Sequence, residues 1–366
     1  MTGSATVETA LLREIRARGP ITFARFQEIA LYGEGGYYEA SGRVGREGDF
    51  VTGASWHPAF ARCLLRFLRK LEGLEGEHLA LLDVGCGEGE LLRFVEAAGP
   101  AGIPDLIGVE RSAVRRGVAE ASVRGARFHP SLEDVAAPVA GLILAYELFD
   151  ALPARVFRVE EDGSLVERLV DEGPGGTFIW TEAPARDGPQ VASALERRGV
   201  VLHPGHRIET RPGTEMLSRR LGAALARGAV LVFDYGAPAR ALYGPTRPGG
   251  TLEAFTHHQV TREVLTEPGT RDLTTWVDFD AIAEGLRAAG CDVAGPVSQS
   301  RFLLGNGIAA ELPAVGSGGR VHPAQLAERN AVAKLFLPGG MGESMRLLIA
   351  TRDSTAAAVL AAFPEV

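Results

Sequence analysis

The sequence predicts an α/β protein built on a doubly wound, Rossmann-like sheet, and three observations carry that reading. Apolar stretches with strand character at residues 79–84, 106–110, 126–129, 141–146 and 229–235 alternate with helical patterns at 89–98, 111–121 and 213–226. The first strand runs directly into a glycine-rich turn, Asp83-Val84-Gly85-Cys86-Gly87-Glu88-Gly89, that opens the first helix. Glycines at alternate positions let the backbone come close to a ligand. The second strand ends in Glu110, about 20 residues beyond the turn, where a carboxylate accepts the hydroxyls of a ribose. Such sheets bind ligands beyond the carboxyl ends of their strands, where the strand order reverses. The segments after strands one, two and four are therefore expected to line one crevice.

Residues 1–74 are expected to form an N-terminal helical segment with a Gly/Tyr-rich loop. Val7, Leu11, Leu12 and Ile15 share a helix face, and Thr22 caps a short helix carrying Phe23 and Phe26. Trp56, Phe60, Cys63, Leu64, Phe67 and Leu71 form a second helical stripe. The stretch 32–52 between them has no periodicity and is long for a connection inside a domain, which marks it as functional or mobile. Residues 75–154 make the Rossmann-like half with the glycine turn, and 155–212 an inserted β-rich cover over the crevice. Residues 213–366 complete the sheet, with a 237–275 excursion that reaches the substrate. The helix at 279–289 and the apolar runs 297–304 and 345–350 return to the core.

Composition narrows the function classes. A chain of 366 residues, 46% hydrophobic and 23% charged, buries a large core in one elaborated domain or two. The net charge of −8 argues against nucleic-acid binding through a general basic surface. No apolar run approaches the ~18 residues of a membrane span. The N-terminus lacks a secretory core, and Glu8 and Glu14 argue against a transit peptide, so a cytoplasmic protein is expected. Cys63, Cys86 and Cys291 are too far apart for a disulfide framework or a zinc site, and no metal is expected. The absence of His-Glu-x-x-His and Gly-x-Ser-x-Gly removes metallohydrolases and nucleophile-elbow esterases.

Several residues suggest chemistry. A buried strand delivers Tyr146, Glu147 and Asp150 to its carboxyl end. Two carboxylates three residues apart accept a guanidinium bidentately, or one of them serves as a general base, or they cap backbone amides and start the turn before Pro153. Asp234 ends the next strand and either orients substrate or caps a turn. The pair His257 and His258 is a base, a substrate contact or a structural feature. The glycine turn itself stays open between a cofactor cradle, a dinucleotide site and a structural βα unit, and Glu110 between a ribose contact and a surface acid.

The pattern Asp-x-Gly-x-Gly-x-Gly resembles motif I of class I S-adenosylmethionine (SAM) methyltransferases. Most of the chain resembles the MidA-like family of these enzymes, which includes a mitochondrial complex I assembly factor that methylates a protein arginine. The resemblance rests on residues 19–22, 36–38, 48–52, 83–89, 147–153 and 234–236, on 250–252 with His258, and on 268–269, 272–274, 277–279, 302–308 and 341–343. It implies a class I SAM-methyltransferase fold whose 75–154 half holds SAM through Asp83, Gly85, Gly87, Gly89 and Glu110, with Ser131 and Leu132 near the adenine. It also implies Glu147, Asp150 and His258 as catalytic groups, and Tyr38, Tyr146, Asp234 and Asp272 on the acceptor side. Two departures bear on the acceptor. Gly53-Ala54-Ser55 stands where the family continues Ser-Pro-Glu, and Tyr146 where it has Asn or His. The expected activity is direct methyl transfer to a protein arginine. A small-molecule O- or N-methyltransferase, a SAM-binding assembly factor with little turnover and an NAD-dependent oxidoreductase are the alternatives.

Overall fold

The computed structural model describes residues 3–39, 52–75, 79–98, 104–136, 138–256, 259–313, 322–352 and 356–361. Its centre is an eight-stranded sheet. Seven strands lie on one path: Ala80–Val84 (β1), Leu106–Val109 (β2), Ala126–His129 (β3), Val139–Tyr146 (β4), Leu225–Ala237 (β5), Asp292–Ser298 (β6) and Met345–Arg352 (β7), in the order β6-β7-β5-β4-β1-β2-β3. The eighth, Val277–Asp278, pairs with the end of β5 at Gly236 and Ala237. All five strand candidates fall in this sheet. It is parallel from β3 to β5, whereas β7 runs antiparallel to both β5 and β6, a reversal the expectation of a parallel sheet did not include. The order reverses between β1 and β4, whose registers pair Asp83 with Leu144 and Val84 with Ala145. The ends of β1, β2 and β4 therefore open into one crevice, as the doubly wound topology requires.

These strands read as unbroken apolar runs because both faces are covered. Leu142, Leu144 and Tyr146 of β4 pack into one core, and Ile143 and Ala145 into the other. The first core is closed by the helix Pro58–Glu75, which presents Phe60, Cys63, Leu64, Phe67 and Leu71, and by Glu90–Ala97 with Leu91, Leu92 and Val95. The second is closed by Gly213–Ala224 and Phe279–Ala288 through Leu221, Ile282 and Leu286. The expected stripe from Trp56 to Leu71 breaks at His57, because Pro58 opens the long helix and leaves Gly53–Trp56 as a separate turn.

The insert folds as an antiparallel sheet of Arg155–Val159, Leu165–Glu172, Phe178–Pro184 and Arg207–Thr210. Its fifth strand is Ile21–Thr22, with Ile21 opposite Val170. The segment grouped as 1–74 thus divides between two cores. Helices Gly3–Arg18 and Phe23–Tyr32 pack through Val7, Leu11, Phe23 and Phe26 against Val156 and Val170, while Pro58–Glu75 stays on the central sheet. Aromatic contacts decide this: Phe23 lies 5.3 Å from Trp180 and Phe26 5.4 Å from Phe178. The same core takes in Ala254 and Leu273 from a three-stranded sheet of Glu253–Thr256, Gln259–Thr261 and Asp272–Thr274. Buried Gln27 couples the parts, donating to Leu273 O at 2.7 Å and accepting from Ala154 N–H at 2.9 Å. Among the described residues, no helix is long and apolar enough to cross a membrane.

Candidate active site

The crevice begins at the glycine turn. Gly85, Gly87 and Gly89 all take left-handed backbone, with φ of +79°, +58° and +78°. Those angles fold the turn onto β2, where the Gly85 and Cys86 amides donate to Val109 O at 2.8 and 3.0 Å. A Cβ on Gly85 would stand 2.8 Å from Leu148 Cδ1, and one on Gly87 2.6 Å from Arg115 Nη2. The turn is thus a cradle that side chains would fill. Glu110 supports it, accepting from Gly87 N–H on Oε2 at 2.9 Å and from Ser112 N–H on Oε1 at 2.8 Å. Each oxygen keeps a further lone pair for a ligand hydroxyl. Asp83 lies beneath the turn, and burial, aided by the nearby Glu110, pushes its carboxyl up to about 7.

A cavity of about 310 Å³ opens above this cradle. Its walls come from distant parts of the chain: Tyr32 and Tyr38 from the N-terminal region, Thr52, Ala54 and Ser55, then Glu110, Arg111 and Arg115, then Tyr146, Glu147, Leu148 and Asp150, and finally Asp272. Arg111 and Arg115 stack over Tyr32 and Tyr38, at 4.7 and 5.4 Å from the ring centres.

Opposite the glycine turn sits a buried acidic cluster. Glu147 has φ of +49°, a strained conformation for a residue with a side chain. Its Oε1 accepts from Gly53 N–H at 3.3 Å. Burial raises its carboxyl well above the usual range, reinforced by Asp150, Asp234 and Asp272, while the Gly53 bond acts the other way. Asp150 accepts from the Thr274 hydroxyl at 3.2 Å; burial raises it and nearby Arg211 opposes the shift. Asp272 accepts from the Tyr38 hydroxyl at 2.8 Å and is pushed up to about 7 by burial and Asp150.

Asp234 has a different place. It is fully buried and off the cavity wall, with Oδ2 accepting from the Phe149 and Asp150 amides at 2.9 and 3.3 Å and Oδ1 from Tyr235 N–H at 2.8 Å. It ties β5 to the turn that carries Glu147 and Asp150, so of its two readings the geometry favours the cap. Tyr146 lines the cavity, but its ring stacks on Phe233 at 5.3 Å and its hydroxyl donates to Gln299 Oε1 at 2.8 Å. Ser131 and Leu132 do not reach the wall. The Ser131 hydroxyl donates to Asp134 at 2.7 Å, Leu132 packs on the second core, and Pro130 lines the cavity instead. His257 and His258 lie outside the described residues.

Sequence reasoning missed Arg111, Arg115 and Arg211, and marked Tyr32 only as the start of the 32–52 stretch. Arg111 directly follows Glu110 and Arg115 lies one helical turn beyond it, a signal available in the sequence, but their partners Tyr32 and Tyr38 come from another part of the fold. Arg211 is buried and donates to Trp276 O at 2.8 Å, to Asp150 O at 3.4 Å and to Thr275. No motif marks it.

Comparison with known proteins agrees with this geometry. Residues 59–297 match the model of a family described as S-adenosyl-L-methionine-dependent methyltransferase. Protein arginine methyltransferase NDUFAF7, mitochondrial, of Bos taurus is 26% identical over 341 residues, 82% of this chain and 73% of the relative. The Homo sapiens protein of that name is 27% identical over 352 residues, 82% of this chain and 73% of the relative. A Burkholderia thailandensis crystal structure bound to S-adenosyl-homocysteine superposes with a TM-score of 0.82 at 28% identity, covering 96% of this chain and 94% of that one. The expectation of a cytoplasmic protein is corrected by these relatives, which are named as mitochondrial. The expectation leaned on Glu8 and Glu14, and two acidic side chains near one helix face do not decide a compartment. The glycine cradle and Glu110 fit S-adenosyl-L-methionine, the cofactor. The chain belongs to this family of S-adenosyl-L-methionine-dependent methyltransferases and is an enzyme of that class.

Proposed function

We propose that this enzyme methylates a guanidinium nitrogen of a protein arginine, with Glu147 and Asp150 as the groups that hold it. The observation that carries the reading is the cluster of Glu147, Asp150 and Asp272 on the cavity wall, where Arg211 is the counter-charge acting on Asp150. Burying carboxylates costs free energy unless a cation arrives to pair with them. A guanidinium meets that need with a planar fork of donors that matches two carboxylates. The names of the curated relatives support the same acceptor.

On this reading Gly85, Gly87 and Gly89 admit the cofactor, Glu110 accepts its ribose hydroxyls, and Arg115 faces its α-carboxylate. Pro130, in place of Ser131 and Leu132, bounds the adenine end. The cofactor supplies an electrophilic methyl group on a sulfonium. The protein contributes placement and exclusion of water. Glu147 and Asp150 draw the guanidinium charge toward themselves, which leaves electron density on the nitrogen facing the methyl. Pairing with the guanidinium holds Glu147 ionised, and once the nitrogen is methylated Glu147 takes up the proton it releases, a transfer that the burial raising its carboxyl favours. Tyr38 and Asp272 bound the acceptor's entry, and Asp234 keeps a scaffolding role.

The decisive experiment supplies the purified enzyme together with labelled SAM to an extract of cells lacking it, with the extract and SAM alone as the blank. Label in arginine of a polypeptide is the expected outcome; label in small molecules alone overturns the acceptor assignment. Glu147→Gln abolishes transfer while S-adenosyl-homocysteine binding stays within about twofold. Equal loss of both would make Glu147 structural.

A further inference from the structure

We infer that Gly53 and Tyr146 act as one positioning unit that holds the Glu147 carboxylate at the acceptor side of the cavity. The inference rests on the role proposed above for Glu147. Gly53 is absent from the positive-φ positions, so its lack of a side chain has a different cause. A Cβ there would collide with the Tyr146 hydroxyl and stand 3.0 Å from Met341 Sδ. The Tyr146 hydroxyl therefore fills the space that a side chain at 53 would need, and only glycine brings the 53 amide down onto Glu147 Oε1 at 3.3 Å.

Both halves of the unit are fastened to the helix Pro323–Phe336. On one side the Tyr146 hydroxyl donates to Gln299 Oε1, and Gln299 Nε2 donates to Leu335 O, each at 2.8 Å. On the other, Trp56 Nε1 donates to Ala331 O at 2.8 Å, and Lys334 Nζ lies 4.1 Å from the Trp56 ring centre. His57 Nε2 adds a 2.8 Å contact to Glu328 Oε1. The Gly53 amide and the Tyr146 hydroxyl are thus referenced to a common support. Glu147 needs such a hold, because its own left-handed backbone is a conformation that persists only when the surroundings impose it.

The test uses Gly53→Ala, Tyr146→Phe, the double variant and Glu147→Gln. Readouts are the initial rate of label transfer from SAM into extract polypeptides and calorimetric binding of S-adenosyl-homocysteine. Gly53→Ala lowers transfer at least about tenfold with cofactor affinity within about twofold, and its rate–pH profile moves to higher pH as Glu147 loses its amide bond. Tyr146→Phe alone is slowed because its link to Gln299 is gone, and adding it to Gly53→Ala removes the obstructing oxygen and raises the rate to that of Tyr146→Phe. A double variant no faster than Gly53→Ala overturns the inference, as does a Gly53→Ala enzyme with natural rate and pH profile. Should Gly53→Ala fail to fold, the double variant must fold and transfer; if it fails too, the inference falls. A fully active Glu147→Gln enzyme instead overturns the proposed function, so the two failures are told apart.

Discussion

Glu110 shows how much one side chain accomplishes here. It braces the glycine turn through Gly87 and the next helix through Ser112, and keeps acceptor capacity on both oxygens. Glu110→Gln replaces one acceptor oxygen by a donor facing a backbone N–H. S-adenosyl-homocysteine binding should weaken about 10- to 100-fold by calorimetry; unchanged affinity would remove Glu110 from the cofactor site. Arg115 is tested by truncating the ligand. Arg115→Met should weaken S-adenosyl-homocysteine by a similar factor while leaving 5′-methylthioadenosine, which lacks the α-carboxylate, nearly unaffected. The buried acids carry a pH signature. Burial raises Asp83 and Asp272 to about 7, above the ~3.9 of an unfolded aspartate. The fold prefers their neutral forms, so their stabilising contribution is complete below the unfolded value and is lost as pH rises through about 7. The melting temperature of the cofactor-free protein should fall between about pH 5 and pH 8, and Asp272→Asn should flatten that slope. A slope unchanged in Asp272→Asn would exclude this acid as a source.

At the scale of elements, the features that depend on neighbours in sequence were legible. Thr22 caps the helix Phe23–Tyr32, accepting from Arg25 N–H at 3.2 Å, as Thr22 followed by an apolar helical stripe implied. Thr22→Ala should destabilise the protein by about 1 kcal/mol in denaturant unfolding; no change would mean that tertiary packing alone holds this helix start. The β1 strand, its glycine turn and the helix Glu90–Ala97 follow the same logic, because an apolar run, three left-handed positions and a stripe of Leu91, Leu92 and Val95 lie side by side in the chain. Elements made by distant partners were not legible. Ile21–Thr22 is a strand only because Leu165–Glu172 passes beside it, and nothing in two residues announces that. The run 297–304 divides into the end of β6 and the helix Gln299–Gly305, since Ser298 caps that helix by accepting from Arg301 N–H at 3.3 Å.

At the scale of the molecule, the active site lies where separate structural units meet. The central sheet supplies the glycine turn and the acids of the turn after β4. The N-terminal region supplies Tyr32 and Tyr38, and the 237–275 excursion supplies Asp272; the 155–212 insert puts no residue on the wall and instead packs behind the N-terminal helices. Contacts such as the Tyr32 hydroxyl donating to Ala151 O at 3.1 Å and the Tyr38–Asp272 bond join these units across the cavity. Cofactor binding should therefore slow hydrogen exchange in the N-terminal region around residues 32–38 as well as in 85–89. Protection confined to the central sheet would show that the N-terminal region does not close on the cofactor.

By itself the sequence determined the doubly wound sheet, the glycine cradle, Glu110 and the acidic turn at Glu147, because each is written in a short local pattern of apolar period, glycine and carboxylate. The tertiary structure alone decided that Asp234 ties β5 to the turn after β4, that Ser131 and Leu132 stand off the wall, that Arg111 and Arg115 stack on Tyr32 and Tyr38, and that Arg211 is buried beside Asp150. Those roles depend on which distant backbone or ring comes within a few ångströms, and chain order does not encode that proximity in any local pattern.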